Sequence, residues 1–512
     1  MPIVQQGAIN TNSLVVPDIY VQIVPPQVAT LNGVPTNILG IVGTAQWGPV
    51  NTPVIVGAGN FNQYFGAVQN RLYDMGTAIA IAAQQGANNF RCVRVTDGTD
   101  TAASVEDNTT TPDIKFTALH TGTLGNNITV SLAAGGSTSS WNVTVGVPGY
   151  QPEIFRNIAG SGNAFWQNVA NAINNGQGAL RGPSNWIIAT AMSGTAAAAA
   201  ASYTLTGGTD GVTTVTAATL VGVDVAPRTG MYALRGQGCS IAMLADATDN
   251  TQWTAQTAFG LSEGVYMITA LPESTSVEAA ITAVQANGPD SYAMKIMHGD
   301  WLYWYDQTDQ VFRLVSPQAF AAGELANLSP EQSSLNKQLY GIVGSQTYGT
   351  PGTTSANHYA DADLAALFSA GIDVICNPQP GGLYWGVRGG INSSLNLNVN
   401  GDNYTRVTNY IAATLNAGMG VYVGQLISNT LFQNIRATLL AFLGNMLQQE
   451  MLTQTGSALP YNVTCDASNN PPTRTALGYV QADTQVQYAA INTKFIVNLE
   501  GGQTVVVVQP TA

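Results

Sequence analysis

The sequence predicts a mixed α/β, multidomain protein that has an α/β core, an inserted β-rich domain and extended terminal strands. In residues 36–98 and again in 212–385, apolar strand-like runs alternate with helical segments, which indicates a largely parallel sheet with covering helices. In residues 101–206, strand-like runs instead alternate apolar with polar side chains, as in an antiparallel sheet with one solvated face. Short apolar strands are predicted at both chain ends.

Residues 1–35 are predicted to form an extended arm. Ile19, Val21 and Ile23 occupy alternate positions and therefore share one face of a short strand. The sequence leaves open whether this strand pairs within its own sheet or with another chain. A helix is excluded by five prolines, which are Pro2, Pro17, Pro25, Pro26 and Pro35.

A predicted linker separates two regions of predicted strands and helices. Residues 99–112 are rich in Thr and Asp without an apolar period and are predicted to be a linker. Before this linker, the pattern predicts strands over 37–43, 53–57 and 90–96 and a helix over 75–85. After it, the pattern predicts strands over 114–119, 127–133, 141–147 and 203–206 and a helix over 164–174.

Residues 207–385 are predicted to form an α/β domain. Thr275 with Glu278, and Ser329-Pro330 with Gln332, have the spacing of helix capping boxes. A further helix over 361–370 is expected to end at Gly371. The predicted strands cover 239–244, 265–270, 292–297 and 372–376.

Beyond residue 385, the sequence predicts helices over 403–416 and 429–453 and a final hairpin of strands 495–499 and 504–509. The last strand contains four consecutive valines, so both of its faces are apolar. Because such a strand aggregates when its edge is exposed, we expect it to be paired at both edges. Its second neighbour is either an earlier strand of the same chain or a strand of another copy.

The amino-acid composition limits which kinds of function this chain can have. Of 512 residues only 9% are charged, and the net charge is -13, which argues against a nucleic-acid-binding protein. Neutral polar surfaces cost less to desolvate than charged ones. The low charge therefore fits a subunit that packs densely with other subunits, and it fits equally a monomer with an unusual neutral polar surface. No secretory signal or membrane span is expected. The four cysteines are far apart, which favours free thiols in a reducing cytoplasm.

Candidate chemical sites are few. Residues 260–264 match G-x-S-x-G around Ser262, but the predicted order is helix, turn, strand, the reverse of a nucleophile elbow. His358 with Asp361 and Asp363 is better explained as the polar start of a helix. We therefore expect no catalytic residue, no cofactor and no metal.

Several segments resemble, in the same order, segments of the contractile tail sheath proteins of myovirus-type tailed bacteriophages. The opening of that family is similar to residues 36–45, 47–51 and 61–66 here. Its inserted domain has a G-x-x-G-N segment, which residues 121–127 resemble, and an L-x-G-G-x-D-G turn, which residues 205–211 resemble. Its closing region is similar to residues 461–466, 469–472 and 494–497.

The resemblance implies a non-enzymatic virion protein that assembles in the host cytoplasm. Sheath subunits stack as helical rings around the tail tube and contract to drive the tube through the host envelope for genome delivery. The implied partners are other copies of the chain, the tail tube protein, and the baseplate and tail terminator proteins, without nucleic acid or membrane. The implied domains are an inner assembly core of 36–100 with 386–512, an outward-facing insert of 101–206, and 207–385.

In this family the terminal arms add strands to sheets of neighbouring subunits. The helix over 429–453 is the candidate for facing the tube, through Asn429, Gln433, Arg436 and Gln448. The implied intersubunit strands contain Leu14, Val16, Ile19, Val21, Ile23, Phe495, Val497, Thr504, Val505, Val506, Val507 and Val508.

Three rival functions remain open: another tail structural protein, such as a tube or baseplate component; the sheath of a phage-tail-like injection device; and, more remotely, a serine hydrolase that uses Ser262. Tube proteins are usually smaller and β-rich, without a long α/β section. A serine-reactive probe that fails to label Ser262 would exclude the hydrolase.

Overall fold

A computed structural model describes residues 3–4, 21–22, 31–107, 110–179, 181–350, 358–454 and 456–499. The chain forms two compact units, one of residues 32–420 and one that combines 1–31 with 421–512. Strands and helices are mixed in both units, which confirms the predicted α/β class.

The centre of the 32–420 unit is a seven-stranded sheet. Its neighbouring strands are parallel, except that the edge strand Val54–Gly57 runs antiparallel to Asn89–Arg94. In spatial order the strands are Ile372–Asp373, Met294–Met297, Tyr266–Ala270, Ile241–Leu244, Ile38–Gly43, Asn89–Arg94 and Val54–Gly57.

The alternation of side chains along these strands fills two cores, one on each face of the sheet. Leu39 and Ile41 enter the first core, whereas Ile38 and Val42 enter the second. The helices Met75–Gln84 and Gln318–Asn327 cover the first core. The second core is covered by the helices Ala217–Val221, Trp253–Glu263, Val277–Asn287 and Asp361–Ser369.

The inserted region has a third core of its own, built from residues between 103 and 205 together with Trp47. The helix Gly162–Asn175 packs into this core. A four-stranded antiparallel sheet has the order Glu153–Ala159, Ser140–Gly146, Thr129–Ala134 and Ala201–Thr204. A three-stranded antiparallel sheet has the order Ile187–Ala191, Ile114–Ala118 and Ser104–Glu106.

The remaining elements of this unit include two helices and two small antiparallel sheets. The helix Asp402–Gly418 is its last long element, and Phe61–Phe65 is a short helix near its start. Leu302–Asp306 pairs with Val311–Val315 and Ile342–Ser345, and Ile375–Cys376 pairs with Gly386–Val387.

The other unit contains the helix Asn429–Gln448, the antiparallel pair Tyr461–Thr464 and Asp483–Val486, and the short helix Pro472–Thr475. Its N-terminal part contributes Ile3–Val4, which pairs in parallel with Val21–Gln22.

Four predictions of local structure are wrong. The 99–112 linker contains the strand Ser104–Glu106, because buried Ala103 anchors that segment in the third core. The cap near 275 is Ser276, which accepts a hydrogen bond from the Ala279 N–H at 3.2 Å. No helix starts at Ser329; the helix of that region, Gln318–Asn327, precedes it. The long helix ends at Gln448 rather than Thr453.

The predicted grouping of 36–100 with 386–512 also needs correction. Strands from 36–100 lie in the same sheet as strands from 207–385, so these two stretches form one α/β body. The change of unit falls after residue 420. Local apolar patterns do not reveal which distant strands become neighbours, and this explains the error.

Candidate functional site

The exposed face of the helix Asn429–Gln448 carries all four residues predicted to face the tube. Asn429, Gln433, Arg436 and Gln448 are exposed. The Arg436 Nε donates to the backbone oxygen of Val463 at 3.1 Å, so this arginine also fastens the helix to the adjacent strand pair. The opposite stripe is buried and consists of Leu431, Phe432, Ile435, Thr438, Leu439, Phe442, Leu443 and Met446.

The strand pair beside this helix is small and has open edges. Among the described residues, Tyr461–Thr464 and Asp483–Val486 pair only with each other. Val463 is 1% exposed, so the helix side of the pair is covered. A two-stranded sheet is marginal by itself, and a strand edge without a neighbouring strand can pair with a strand of another chain.

The last described residues, 495–499, are largely apolar and form neither a helix nor a strand. The predicted strand 495–499 has no strand partner in the described residues. Phe495, Ile496, Val497 and Leu499 are 68–89% exposed. A contiguous apolar run at this exposure is a sign of an interaction segment.

Most of the other predicted intersubunit positions lie outside the described residues. These are Leu14, Val16, Ile19 and Ile23 in the arm, and Thr504, Val505, Val506, Val507 and Val508 at the end. Val21 lies opposite Ile3 of the same chain, so one edge of that two-residue strand is occupied internally.

A buried ionic cluster, which we call the Lys295 cluster, consists of Lys295, Asp373, Asp402 and Tyr266. All four side chains are 0% exposed. The Lys295 ammonium lies 2.6 Å from Asp373 and 3.0 Å from Asp402, and the Tyr266 hydroxyl donates to Asp402 at 2.7 Å. The cluster therefore connects three strands of the large sheet to the N-terminus of the helix Asp402–Gly418. These strands are Tyr266–Ala270, Met294–Met297 and Ile372–Asp373, which lies at the edge of the sheet.

Electrostatics keep this cluster charged. Burial alone would lower the pKa of Lys295, but the carboxylates of Asp373 and Asp402 outweigh it and hold that pKa above its usual value. Burial, reinforced by Asp402, raises the pKa of Tyr266 well above its usual range. Lys295 therefore stays an ammonium ion, and the tyrosine stays a hydrogen-bond donor.

A second buried cation, Arg94, ties the inserted region to the sheet. Its guanidinium donates to the backbone oxygens of Gly48 at 2.7 Å, Thr121 at 2.8 Å and Asp210 at 3.3 Å. Burial lowers the pKa of Arg94 to about 10. Arg71 donates to the Asp210 carboxylate at 2.5 Å, so the 207–211 turn is held by two arginines.

The residues considered for catalysis have structural roles. Ser262 lies in the last turn of the helix Trp253–Glu263 and donates to the Phe259 backbone oxygen at 3.0 Å. Gly264, with φ of 67°, ends that helix before the next strand, as predicted. His358 lies 2.9 Å from the Asn377 backbone oxygen, while Asp361 and Asp363 form the first turn of a helix.

The described residues offer neither a metal site nor a membrane span. They contain no group of three His, Cys, Asp or Glu side chains arranged to hold a metal ion. Their helices include none long and apolar enough to cross a lipid bilayer. A cleft of about 450 Å³ lies in the 32–420 unit, between residues 34–38 and the helix Asp402–Gly418.

The sequence pattern did not predict the Lys295 cluster. The available signal was Lys295 itself, a single charge inside the apolar stretch Met294–Met297, because a buried charge requires a partner. Its partners, Asp373 and Asp402, are 78 and 107 residues away in the chain, so sequence spacing gave no indication of them.

Comparisons of the sequence with known proteins find no match, whereas comparisons of the structure do. No protein-family model matches the sequence, and no curated protein matches it. Solved structures do match. The fold is similar to a sheath tail protein from Listeria innocua, with a TM-score of 0.60, 14% identity, and coverage of 86% of this chain and 90% of that one.

Two other solved structures extend the similarity. A sheath tail protein from Desulfitobacterium hafniense matches with a TM-score of 0.57 and 14% identity, over 87% of this chain and 93% of that one. The contracted helical sheath of the anti-feeding prophage matches with a TM-score of 0.54 and 10% identity, over 96% and 99%. The chain therefore has the fold of the contractile tail sheath proteins, which confirms the fold implied by the sequence resemblance.

Proposed function

We propose that this protein is the subunit of a contractile tail sheath. It polymerises as stacked helical rings around a tail tube, and contraction of the sheath drives the tube through the host envelope for genome delivery. Its partners are further copies of itself, the tube protein, and the baseplate and tail terminator proteins. It acts in the virion after assembly in the host cytoplasm.

The observation that carries this proposal is the combination of a sheath fold with an exposed apolar segment, residues 495–499, that has no strand partner among the described residues. Phe495, Val497 and their neighbours are exposed, and the strand pair Tyr461–Thr464 and Asp483–Val486 has open edges among the described residues. Strand addition supplies directional backbone hydrogen bonds and side-chain pockets. We propose that the arms around 14–24 and 495–508 pair with sheets of neighbouring copies.

The arms are tested by deletion of residues 1–24 from the full chain. We expect the deleted protein to fold but to form no hollow tubes in negative-stain electron microscopy, while the full chain forms them. Tubes of normal length and contraction from the deleted protein would overturn the strand linkage. A full chain that stays monomeric at high concentration would overturn the sheath function itself.

The tube contact is proposed to involve the exposed face of the helix Asn429–Gln448. Asn429→Glu with Gln433→Glu adds two charges at exposed positions of that face, so the subunit should still fold. We expect empty tubes to assemble but to bind the tube protein more weakly. The matched control is Asn171→Glu with Asn175→Glu, which adds two charges at the same spacing to exposed positions of the helix Gly162–Asn175 in the inserted region. Equal binding by both double variants would contradict the tube contact.

A sheath of an injection device is the second candidate, because sheaths of the anti-feeding prophage and of another extracellular injection system share this fold. The two candidates differ in what the particle delivers. Native particles that contain packaged DNA support the phage tail, and particles without a DNA-filled head support the injection device.

The inserted region 101–206 is proposed to face outward in the assembled sheath. The turn at Pro148 and Gly149 is exposed, and it offers an insertion point for a peptide tag. An antibody to the tag should decorate intact tubes along their length. Tubes that bind the antibody only after dissociation would contradict the outward position.

A further inference from the structure

The loop between the strand Gly386–Val387 and the helix Asp402–Gly418 presents two leucines to solvent. Leu395 is 57% exposed and Leu397 is 84% exposed, and the other residues of 392–400 are Asn, Ser and Val. We call residues 392–400 the leucine loop. It contains no charged residue, so its burial in an interface would not require the desolvation of an ion.

The base of the leucine loop is held by one buried side chain, Asn392, which is 0% exposed. Its Nδ2 donates to the backbone oxygen of Val399 at 2.7 Å and to Thr405 Oγ1 at 2.9 Å. The Asn392 N–H donates to the backbone oxygen of Asn400 at 2.7 Å. These bonds close the loop on itself and fasten it to the helix Asp402–Gly418.

The part of the loop that leads to the leucines is also fixed. Asp290 accepts hydrogen bonds from the Ser394 hydroxyl at 2.9 Å and from the Leu395 N–H at 3.0 Å. The Ser393 N–H donates to the backbone oxygen of Met294 at 2.7 Å, at the start of a strand of the large sheet. Because the loop is preorganised, it loses little conformational freedom when another surface covers its leucines.

The cleft of about 450 Å³ is a concave surface that suits such side chains. Two of its lining residues, Asn416 and Ala417, are exposed, so the cleft opens to solvent beside the last turns of the helix Asp402–Gly418. Clefts of this size with a mainly apolar lining are the usual binding sites of proteins. The apolar lining includes Ile38, Leu234, Val265 and Ala413.

The charged groups of the cleft have partners, whereas one amide group does not. Glu263 forms an ion pair with Arg235, and the Arg406 guanidinium donates to two backbone oxygens at 2.7 and 2.8 Å. The Asn409 Nδ2 is buried and has no hydrogen-bond partner among the described residues. A buried donor without an acceptor is unfavourable, so an uncharged segment that brings an acceptor into the cleft would be stabilised there.

We infer that the leucine loop of one copy of the chain enters the cleft of another copy. Leu395 and Leu397 then contact the apolar lining, and an asparagine or backbone oxygen of the loop accepts from Asn409. A second copy is the occupant because the loop and the cleft belong to the same unit, yet none of residues 392–400, all of which the structure describes, lines the cleft of its own chain. This inference rests on the proposed sheath function and deepens it, since two different surfaces that bind each other can repeat from copy to copy in a helical polymer.

The contact is tested by cross-linking between two differently tagged full-length chains that are mixed before assembly. One chain carries Leu397→Cys and the other carries Ala417→Cys. Cys239 lines the cleft and is changed to Ala in both chains, while the other native cysteines are buried. We expect a short bis-maleimide to join the two chains in the assembled tubes.

The matched control replaces Ala417→Cys by Ala412→Cys. Ala412 is an exposed residue of the same helix that does not line the cleft, and we expect it to give at least tenfold less cross-linked product. Tubes without cross-links, equal cross-linking at 412 and 417, or cross-links only between two Leu397→Cys chains would overturn the contact and leave the sheath function standing. If the unmodified chain forms no tubes, the sheath function fails, and this inference fails with it.

A second measurement tests the leucines without a cross-linker. Leu395→Asn with Leu397→Asn keeps the loop uncharged, and because both positions are exposed, the subunit should still fold. We expect the protein concentration at which tubes form, followed by light scattering, to rise at least tenfold. Leu383→Asn, at an 87% exposed position outside the loop, is the control and should assemble like the unmodified chain. The same threshold for the double variant and the control would overturn the inference.

Discussion

The Lys295 ammonium lies 2.6 Å from a carboxylate oxygen of Asp373, and neither side chain is exposed to solvent. The same Asp373 carboxylate accepts hydrogen bonds from the N–H groups of Val374, Gly389 and Ile391 at 2.8–3.0 Å. One ion pair therefore organises both the edge of the large sheet and the segment that leads into the helix Asp402–Gly418.

Lys295→Met is predicted to be strongly destabilising. Removal of the ammonium leaves Asp373 and Asp402 buried without their cation, and loss of one partner of a buried pair costs about 3–5 kcal/mol. Urea denaturation of the unpolymerised protein measures the change. Lys115→Met is the control, because its 3.0 Å pair with Glu106 is 39% and 41% exposed and such pairs contribute about 0–1 kcal/mol. Equal losses in both variants would contradict the role of the cluster.

The sequence predicted individual elements of the large sheet well, because apolar runs and helix ends are local signals. The strand Ile38–Gly43 and the helix Met75–Gln84 lie within one residue of their predicted bounds. The strands Glu153–Ala159 and Ile187–Ala191 were missed. Glu153 is a buried carboxylate and so gives no hydrophobic signal in the sequence. It accepts a hydrogen bond from the Ser184 hydroxyl and forms an ion pair with Arg181.

The sequence pattern did not predict which distant parts of the chain come into contact. Nothing local indicates that Val54–Gly57 returns antiparallel to Asn89–Arg94, or that Lys295 meets Asp402. The exposed face of the long helix could be predicted, because the 3.6-residue period separates Asn429 and Gln433 from the buried stripe.

Gly122→Ala is predicted to loosen the attachment of the inserted region. Gly122 has φ of +129°, and a Cβ there would lie 2.1 Å from the backbone oxygen of Gln46. We expect a loss of about 2–4 kcal/mol, since backbone strain and overpacking each cost about 1–3 kcal/mol. Gly149→Ala is the matched control, with φ of +83° but no atom within 4 Å, and should cost about 1–2 kcal/mol. Thermal denaturation compares the two, and an equal cost would exclude the contact with Gln46 as a cause.

Glu324→Gln is predicted to stabilise the protein more at pH 8 than at pH 5. Glu324 is 6% exposed, and burial raises its pKa to about 7, although Lys337 opposes the shift. Its unfolded pKa is near 4.3, so the folded state binds the proton more tightly. Unmodified protein therefore loses stability as the pH rises from about 4.3 to 7, and the loss is complete above that range.

The expected gain for Glu324→Gln at pH 8 is about 3–4 kcal/mol, since the folded and unfolded pKa values differ by about 2.7 units and each unit corresponds to about 1.4 kcal/mol. Urea denaturation at the two pH values measures it. Exposed Glu273→Gln should change stability by less than about 0.5 kcal/mol at both. A gain for Glu324→Gln that is the same at pH 5 and pH 8 would show that the carboxyl is not the cause.

Phe495→Asp with Val497→Asp is predicted to abolish assembly without affecting the fold. The two side chains are 83% and 68% exposed, so the subunit should keep its stability to within about 0.5 kcal/mol. In a polymer that buries this segment, two unpaired carboxylates would have to be desolvated, which is strongly unfavourable. Light scattering and negative-stain microscopy measure tube formation. Leu383→Asp, at an 87% exposed position of the other unit, is the control and should still form tubes. If the double variant polymerises as the control does, the terminal segment is not part of the lattice.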